Sequence, residues 1–306
     1  MLPTFPKTKR LEISDKQDIE NLTSLYPPYS DFNFVSLWSY NVHDQCEISS
    51  HHGNLVIKFN DYISGEPFYT FLGANQVTKI TADLLDKCIS EGITPALKLV
   101  PDCCVNGDFC KEASTDFDIK EEPPHFDYIY RVADLIALKG RKYRSRRQSV
   151  TRFMRCVPGH KVMPLNLSDN STKKQIISLF SLWADRKHKT ARQTEIELRS
   201  ILRLVETQQY FQLVNFGIFL GDEMVAFSIS EKVHAGYYMG HFGKADHSYP
   251  GIEQFMEHEV AKHMHHRGCV FLNLQQDLGI SGMEQSKKLW NPSLMLKKVS
   301  IQYLTR

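Results

Sequence analysis

Two stretches in different halves of the sequence share a helical pattern around Ser-Leu-Trp. They are Val35-Ser-Leu-Trp-Ser39 and Phe180-Ser-Leu-Trp-Ala184. Each is followed by strand patterns rich in aromatic and β-branched residues, then by one amphipathic helix pattern, at 77–90 and at 252–266, and then by another strand. Each of these helix patterns ends before a glycine, Gly92 or Gly268, that suits a left-handed C-terminal cap. The sequence therefore predicts two halves of similar structure, each mixing helices with strands.

The order of helix, antiparallel strands, helix and strand resembles the acetyltransferase-like fold (GNAT, or acyl-CoA N-acyltransferase). We therefore predict an α+β (mixed α/β) protein of two tandem GNAT-like domains, each with a mostly antiparallel central sheet flanked by helices. The pattern at 126–132 predicts a strand of the first half, so the predicted boundary lies near Asp134. The predicted domains are an N-terminal one at 1–133 and a C-terminal one at 134–306 that begins with a basic helix.

Composition excludes several classes of protein. With 306 residues and 42% hydrophobic content, the chain can bury a large core, which excludes disorder. No run approaches the roughly 18 consecutive apolar residues of a membrane-spanning helix, and the first residues lack the apolar core of a signal peptide. The seven cysteines are odd in number and irregularly spaced, which is typical of reduced thiols. We expect a soluble, cytoplasmic protein without a transmembrane segment.

Three separated motifs carry a resemblance to a known family. They are Tyr26-Pro-Pro-Tyr-Ser-Asp-Phe-Asn-Phe-Val-Ser-Leu-Trp38, the segment from Asp127-Tyr-Ile-Tyr130 to Lys139-Gly-Arg-Lys-Tyr-Arg-Ser-Arg-Arg147, and Asn273-Leu-Gln-Gln-Asp-Leu-Gly279 continuing through Gly282 to Pro292. With these motifs in this order, nearly the whole chain resembles a group of soluble bacterial proteins that is similar to the C-terminal domain of phosphatidylglycerol lysyltransferases. The resemblance implies the tandem GNAT-like fold and transfer of an aminoacyl group from aminoacyl-tRNA.

The chain departs from the family pattern at two places. Where the family usually has Asn-Arg-Glu-Glu-Asp-Leu-Gly, residues 273–279 lack three of the charges, and a Glu-Lys-Ala of the family is Gly243-Lys-Ala245 here. The residues that match the family are Lys244, Asn273, Asp277, Gly279, Gly282, Ser286 and Lys288. If the missing charges recognise an amino acid or an acceptor, then the specificity has changed or the activity is lost.

A run of positive charge lies where the two predicted domains meet. Residues 135–168 contain nine Lys or Arg and no Asp or Glu. Because the formal net charge of the whole chain is only +2, the remaining residues sum to about −7. Arginine offers a planar set of donors that fits phosphate oxygens, so the run predicts binding of a phosphate-rich polyanion.

We expect this run to form a helix over about 142–155, with a partial apolar face of Tyr143, Val150, Phe153 and Met154. The candidate phosphate-binding residues are Arg141, Lys142, Arg144, Arg146, Arg147, Arg152 and Arg155. If the resemblance holds, tRNA is the expected partner. Two alternatives stay open, a peripheral contact with an anionic lipid surface and a solvated face balanced by the acidic remainder.

No pattern indicates covalent catalysis, since the chain has no Gly-x-Ser-x-Gly elbow. In a direct attack of an amine on an activated ester, Lys244 and Lys288 could stabilise the developing charge, and Asp277 could hold an ammonium group or accept its proton. The candidate substrate-binding residues are Asn273, Ser286 and Gly251. The structural alternative for Asp277 is a cap on a helix that begins near Ser281.

The segment that enters the helix at 252–266 suits a phosphate, because acetyltransferases present backbone amides there to the pyrophosphate of coenzyme A. Of the glycine-rich pattern of those enzymes only Gly251 remains, so a Pro-Gly helix start explains the segment equally well. The spacing of Glu259, His263 and His266 could place metal ligands on one helix face, but the buried side of that helix is defined by other residues. We therefore predict no metal site and no required cofactor.

Three functions remain in competition. The leading one is an acyltransferase that uses aminoacyl-tRNA, or a similar phosphate-bearing donor, to modify a lipid, amine or hydroxyl acceptor. The second is an N-acyltransferase that depends on a coenzyme A thioester. The third is a non-catalytic adaptor that binds RNA or another anion through the basic helix.

Overall fold

The computed structural model describes residues 1–61, 64–105, 109, 116–187 and 190–304, without the side chains of 191–193. The chain divides into two compact units. Unit 1 comprises Met1–Asp127 and Leu296–Arg306, and unit 2 comprises Tyr128–Met295. The boundary expected between 133 and 134 lies six residues after this division, and the segment from Leu296 onward belongs to unit 1 rather than to the second half.

The helices and strands of the described residues are numbered here in chain order. The α-helices are α1 (Lys16–Thr23), α2 (Phe34–Tyr40), α3 (Val77–Ser90), α4 (Val132–Ala137), α5 (Arg144–Cys156), α6 (Asn170–Arg186), α7 (Ala191–Glu206), α8 (Ile252–His265) and α9 (Ser281–Leu289). The strands are β1 (Lys9–Arg10), β2 (Glu47–His51), β3 (Asn54–Asn60), β4 (Pro67–Leu72), β5 (Ala96–Pro101), β6 (Phe117–Glu121), β7 (Asp127–Arg131), β8 (His160–Pro164), β9 (Leu213–Leu220), β10 (Glu223–His234), β11 (Tyr237–Ala245), β12 (Phe271–Asn273), β13 (Leu294–Leu296) and β14 (Lys298–Tyr303).

Unit 1 contains two sheets. One is an antiparallel sheet in the order β1-β2-β3-β4, and the other has the order β5-β14-β6. Strand β14, from the end of the chain, pairs antiparallel with both β5 and β6. The chain therefore returns to unit 1 to complete a sheet that its first 127 residues began.

Helix α3 forms at the predicted residues because its apolar side chains recur at helical spacing. Its buried residues are Val77, Ile80, Thr81, Leu84, Leu85 and Cys88, which lie on one face of a helix with 3.6 residues per turn. After the helix, Gly92 adopts the left-handed conformation with φ +67°, and Gly268 does so after α8 with φ +80°. Both glycines thus have the conformation predicted for them.

Unit 2 is built around one seven-stranded sheet in the order β13-β7-β12-β11-β10-β9-β8. The neighbouring strands from β8 to β11 are antiparallel, and β11 and β12 are parallel. Helix α8 connects these two parallel strands, as a parallel pair requires a crossover connection. Strand β7 pairs antiparallel with β12, with Leu272 opposite Tyr130, although the sequence analysis assigned it to the first half.

The two units repeat one order of elements. In unit 1 the strands β2, β3 and β4 are followed by α3 and β5, and in unit 2 the strands β9, β10 and β11 are followed by α8 and β12. Each series is completed by an antiparallel strand from elsewhere in the chain, β14 beside β5 and β7 beside β12. The predicted repetition is confirmed.

Helix α5 is the predicted basic helix, preceded by a 3₁₀ turn at Arg141–Tyr143. Its buried residues are Arg146, Val150 and Phe153, at helical spacing, and Phe153 stacks on Phe255 of α8 with ring centroids 4.5 Å apart. Met154, which was expected on the apolar face, is 53% exposed, because that face continues through Arg146 instead. Within the residues described, no helix combines the length and apolar character needed to cross a bilayer.

Candidate functional site

Six basic side chains on the turn at Arg141–Tyr143 and on α5 face solvent, and we call this set the basic surface. It consists of Arg141, Lys142, Arg144, Arg147, Arg152 and Arg155. Six like charges within 15 residues of chain create a strong local positive potential. The exposure expected from the sequence therefore holds for six of the seven predicted phosphate-binding residues.

Four members of the basic surface make no hydrogen bond or ion pair with any residue that the structure describes. They are Arg141, Arg144, Arg152 and Arg155. Lys142 lies 5.1 Å from the centre of the Tyr143 ring, and Arg147 donates to the carbonyls of Leu138 and Gly140, the latter at 2.9 Å. Most of the positive charge is thus available to an external anion.

Arg146 was predicted to bind phosphate on the same face, but it lies in the interior of unit 2 and is 6% exposed. Its Nη2 donates to the carbonyl of Ser286 at 2.7 Å, and its guanidinium lies 5.1 Å from the Trp290 ring centre. Burial lowers the pKa of Arg146, against the opposing charges of Glu253 and Glu257. The physical reason for the difference is position: Arg146 lies one helical turn before Val150 on the inward face of α5.

Glu257 of α8 is a carboxyl group with a strongly raised pKa. It is partly buried, and burial together with the negative charge of Glu253 raises the pKa of Glu257 to about 7. The positive charges of Lys287 and Arg146 act in the opposite direction without cancelling this effect. A carboxyl group with this pKa exchanges a proton close to neutral pH.

Glu253, one turn earlier on the same helix, behaves in the opposite way. Burial acts to raise the pKa of Glu253, but the hydrogen bond and charge of His247, with the charges of Lys187 and Arg146, lower it overall. His247 Nε2 lies 3.1 Å from Glu253 Oε1. We call Arg146, Glu253, Glu257 and Lys287 the coupled charged group, because their charges act on one another.

Gly251 precedes α8 with φ +87°, and its contacts explain the glycine by packing. A Cβ at this position would lie 2.2 Å from the carbonyl oxygen of Ser149 in α5. The backbones of α5 and α8 therefore approach each other here as only glycine allows. Gly251 was predicted to bind substrate. In the structure, the space where a side chain would lie is filled by the backbone of α5.

Lys244, predicted to be catalytic, is a buried residue of β11 and is 9% exposed. Its Nζ lies 2.7 Å from Glu197 Oε1 and 4.2 Å from the centre of the Trp183 ring. The ammonium group is thus held between a carboxylate on α7 and an aromatic face on α6, which is a favourable arrangement for a cation. The sequence analysis named Trp183 only as part of a repeated helical motif and did not name Glu197.

Hydrogen bonds of buried side chains hold the segment 273–279 in place. Asp277 accepts hydrogen bonds from the Tyr128 hydroxyl at 2.6 Å and from the Gly279 amide at 2.8 Å, and Asn273 accepts one from the Gln275 amide at 2.7 Å. Asp277 and Asn273 are buried, at 2% and 0% exposure. Asp277 therefore fixes a turn before α9, whose own N-cap is Ile280 with no side-chain bond.

Lys287 of α9 closes the same segment from the other side. Its Nζ donates to the carbonyls of Leu274 at 2.5 Å, Gln275 at 3.1 Å and Gln276 at 2.6 Å. The three carbonyl oxygens accept the hydrogen bonds that the ammonium group would otherwise donate to water. Lys287, which the sequence analysis did not name, therefore holds this segment in place.

The remaining predicted residues lie on α9. Lys288 is exposed and pairs with Glu284, and the hydrogen bond with Glu284 raises the pKa of Lys288. Ser286 uses its carbonyl for Arg146. Among the described contacts, Lys244, Asp277 and Lys288 each bind different partners and do not touch one another.

The sequence analysis missed Lys287, Glu257 and the interior role of Arg146. Glu253 and Glu257 have the i, i+4 spacing of one helix face, which is a usable signal, although it equally fits a solvated face. Lys287 had no such signal, because its three acceptors are backbone carbonyls that carry no sequence pattern.

Comparison with known proteins gives one family and a set of similar structures. The family model described as "Phosphatidylglycerol lysyltransferase, C-terminal" matches residues 30–300. No curated protein sequence gives a significant match.

Three solved structures illustrate the likeness of fold. A conserved protein of unknown function from Bacteroides thetaiotaomicron VPI-5482 is 21% identical with a TM-score of 0.83, over 99% of this chain and 100% of that one. The C-terminal domain (DUF2156) of a putative lysylphosphatidylglycerol synthetase from Agrobacterium fabrum is 11% identical with a TM-score of 0.63, over 95% and 90%. A tandem GNAT protein from the clavulanic acid biosynthesis pathway is 9% identical with a TM-score of 0.53, over 98% and 99%. The predicted tandem GNAT-like fold is confirmed.

Proposed function

Because the chain belongs to the family of phosphatidylglycerol lysyltransferase C-terminal domains, we propose that it moves an aminoacyl group from aminoacyl-tRNA to an acceptor amine or hydroxyl, free or on a lipid. The family membership confirms the predicted resemblance, and family and fold together make the chain acyltransferase-like. The donor and the acceptor are the proposed part.

The observation that carries the proposal is the basic surface, in which four of the six cations have no partner among the described residues. An RNA backbone presents phosphates at regular spacing, and each phosphate neutralised by an arginine releases counterions and adds to the affinity. Four arginines without internal partners lose no ion pair when they bind such a backbone. A donor that carries its acyl group on a long polyanion fits this surface better than a small thioester does.

The coupled charged group contains the candidate base for the chemical step. In aminoacyl transfer the acceptor nucleophile attacks the ester carbonyl, loses its proton to a base, and the terminal ribose oxygen of the tRNA leaves and takes up a proton. Within the proposal Glu257 is that base, since its pKa of about 7 leaves it substantially ionised at neutral pH while it still holds a proton well. Asp277 and Lys287 serve by keeping the segment 273–279 in one shape.

The direct test is a transfer assay with the full chain and a mixture of radiolabelled aminoacyl-tRNAs. Lipid, protein and small-amine fractions of a cell extract serve as acceptors. We expect label in one fraction, and we expect a triple variant, Arg144→Ala with Arg152→Ala and Arg155→Ala, to raise KM for the donor with little change in kcat. Glu257→Gln should instead lower kcat, since it removes the base and leaves the basic surface intact.

A matched control removes three charges from unit 1. Lys7→Ala with Lys120→Ala and Lys297→Ala changes exposed lysines and the same net charge, and it should transfer at the wild-type rate. Binding of tRNA without label in any fraction would replace the proposal with the non-catalytic adaptor. Stabilisation by acetyl-CoA without any effect of tRNA would favour the thioester-dependent enzyme.

A further inference from the structure

Two imidazoles and one carboxylate lie together in unit 1, far along the chain from the residues discussed above. The candidate ligand atoms of His51, His52 and Asp83 are all within 4.8 Å of one another. His51 is buried, Asp83 is partly buried and His52 is exposed. The cluster joins the end of a hairpin to a helix, a juxtaposition that the sequence spacing did not indicate.

The position of His51 is fixed from two sides. Its Nε2 lies 2.8 Å from Asp83 Oδ2, and its ring packs against Phe5 with centroids 4.8 Å apart. The His52 ring stacks on the His51 ring at 4.5 Å and 26°. A second imidazole is therefore held beside the first, next to the same carboxylate.

The hairpin explains why His52 lies there. Strands β2 and β3 pair as far as His51 opposite Asn54, which leaves His52 and Gly53 as a two-residue turn. Both turn residues have positive φ, 50° and 80°. A turn of this kind favours Asn-Gly. Here His52 takes the first position, and its ring stacks on that of His51 at the end of the hairpin.

We propose that His51, His52 and Asp83 bind one divalent transition-metal cation of the Zn²⁺ class. Two imidazole nitrogens and one carboxylate oxygen form a donor set that Zn²⁺ and its neighbours prefer and that Mg²⁺ and Ca²⁺ do not. Because His52 is exposed, the fourth coordination position opens to water. The sequence analysis, which predicted no metal site, did not consider this cluster.

Binding requires a small local rearrangement. Ligand atoms about 2.0–2.2 Å from a tetrahedral Zn²⁺ are roughly 3.3 Å from one another. His51 and Asp83 must separate slightly from 2.8 Å, and the exposed His52 ring must approach. Lys79 is the competing cation, with Nζ 3.1 Å from Asp83 Oδ2 on a side chain that is 56% exposed and can swing away.

The test is calorimetric titration of ZnCl₂ into the full chain, purified without a polyhistidine tag. We expect one equivalent to bind, and His52→Ala to weaken binding at least about tenfold, since even loss of an outer-shell partner costs about 10–100-fold. Asp83→Asn should weaken it comparably. Lys79→Met should tighten binding, because the competing ammonium group is gone.

The control is the pair His265 and His266, adjacent exposed histidines at the end of α8 whose rings are 6.4 Å apart. Their double alanine variant should bind Zn²⁺ as the wild type does. The proposal is overturned if His52→Ala binds like wild type, if the His265 and His266 double variant is the one that loses the metal, or if wild type binds none. Thermal unfolding of each variant without metal shows that the fold is intact.

Discussion

The two units balance their charges differently. Among the described residues of unit 1, nine lysines make ion pairs, namely Lys9, Lys16, Lys58, Lys79, Lys87, Lys98, Lys120, Lys297 and Lys298. In unit 2 the arginines of the basic surface point to solvent, and four of them have no partner among the described residues. Unit 2 also pairs charges within its own fold, as Lys244 does with Glu197 and Lys262 with Glu259, so the difference between the units lies in the basic surface.

The ion pairs of the buried Lys298 in unit 1 give the largest loss of stability that we expect from a substitution. Lys298 of β14 is fully buried, lies 2.8 Å from Asp127 Oδ1 and also pairs with Asp31. Although burial acts to lower the pKa of Lys298, Asp127 and Asp31 raise it overall, so the residue stays charged. Lys298→Met leaves two buried carboxylates without their cation and should cost about 3–5 kcal/mol in the free energy of unfolding.

Urea unfolding measures this cost, and the neighbouring residue provides the control. Lys297 forms an exposed pair with Glu121, so Lys297→Met should unfold at nearly the wild-type urea concentration. Equal midpoints for the two variants would show that burial does not distinguish these pairs.

One glycine from each unit can be replaced by alanine to compare how closely the backbone is packed there. Gly251→Ala in unit 2 imposes a left-handed alanine and a clash with Ser149, and should cost about 2–4 kcal/mol. Gly92→Ala in unit 1 has nothing within 4 Å of the added Cβ, so only the left-handed conformation contributes, at about 1–2 kcal/mol. Chemical unfolding of both variants checks the difference, and a smaller loss for Gly251→Ala would refute the close approach of α5 and α8.

Two glutamates within unit 2 should respond to pH with opposite signs. The pKa of Glu257 is raised from 4.5 to about 7, so its ionisation in the folded protein costs stability as the pH rises from about 4.5 to above 7. Glu257→Gln removes this cost and should stabilise the protein above pH 7 by about 1–3 kcal/mol, with no change below pH 4.5. The pKa of Glu253 is lowered, so Glu253→Gln should instead destabilise it above pH 4.5.

Unfolding followed at pH 5 and at pH 8 measures both glutamate variants. The difference between the free energies of unfolding of the two variants should be larger at pH 8 than at pH 5. A Glu257→Gln variant that is less stable than wild type at pH 8 would mean that the carboxylate is compensated by a partner, and would remove it as the candidate base.

Much of the fold could be predicted because local pattern determines it. Helix α3 and the left-handed Gly92 and Gly268 follow from apolar spacing and from cap chemistry. The partners of β7 and β14 could not be predicted, because these strands pair with strands distant in sequence, and such pairing leaves no local signal. A strand in the middle of the chain looks the same whichever sheet it joins.

The candidate site was less predictable than the fold. Helical position alone decides that Arg146 turns inward while Arg144 and Arg147 turn outward. A basic run in the sequence therefore does not show which of its charges face solvent. Asp277 matched a family motif, yet its carboxylate is committed to Tyr128 and Gly279. The lysine that holds the segment 273–279 uses only backbone acceptors, which no sequence pattern reveals.

The most direct test of the account is the binding of bulk tRNA to the full chain as a function of salt concentration. The triple variant of Arg144, Arg152 and Arg155 should lower the slope of log K against log salt by about 2–3, because each lost phosphate contact removes about 0.7–0.9. The control triple variant of Lys7, Lys120 and Lys297 should keep the wild-type slope. If wild type does not bind tRNA at low salt, or if both triple variants change the slope equally, the basic surface of unit 2 is not the anion-binding site.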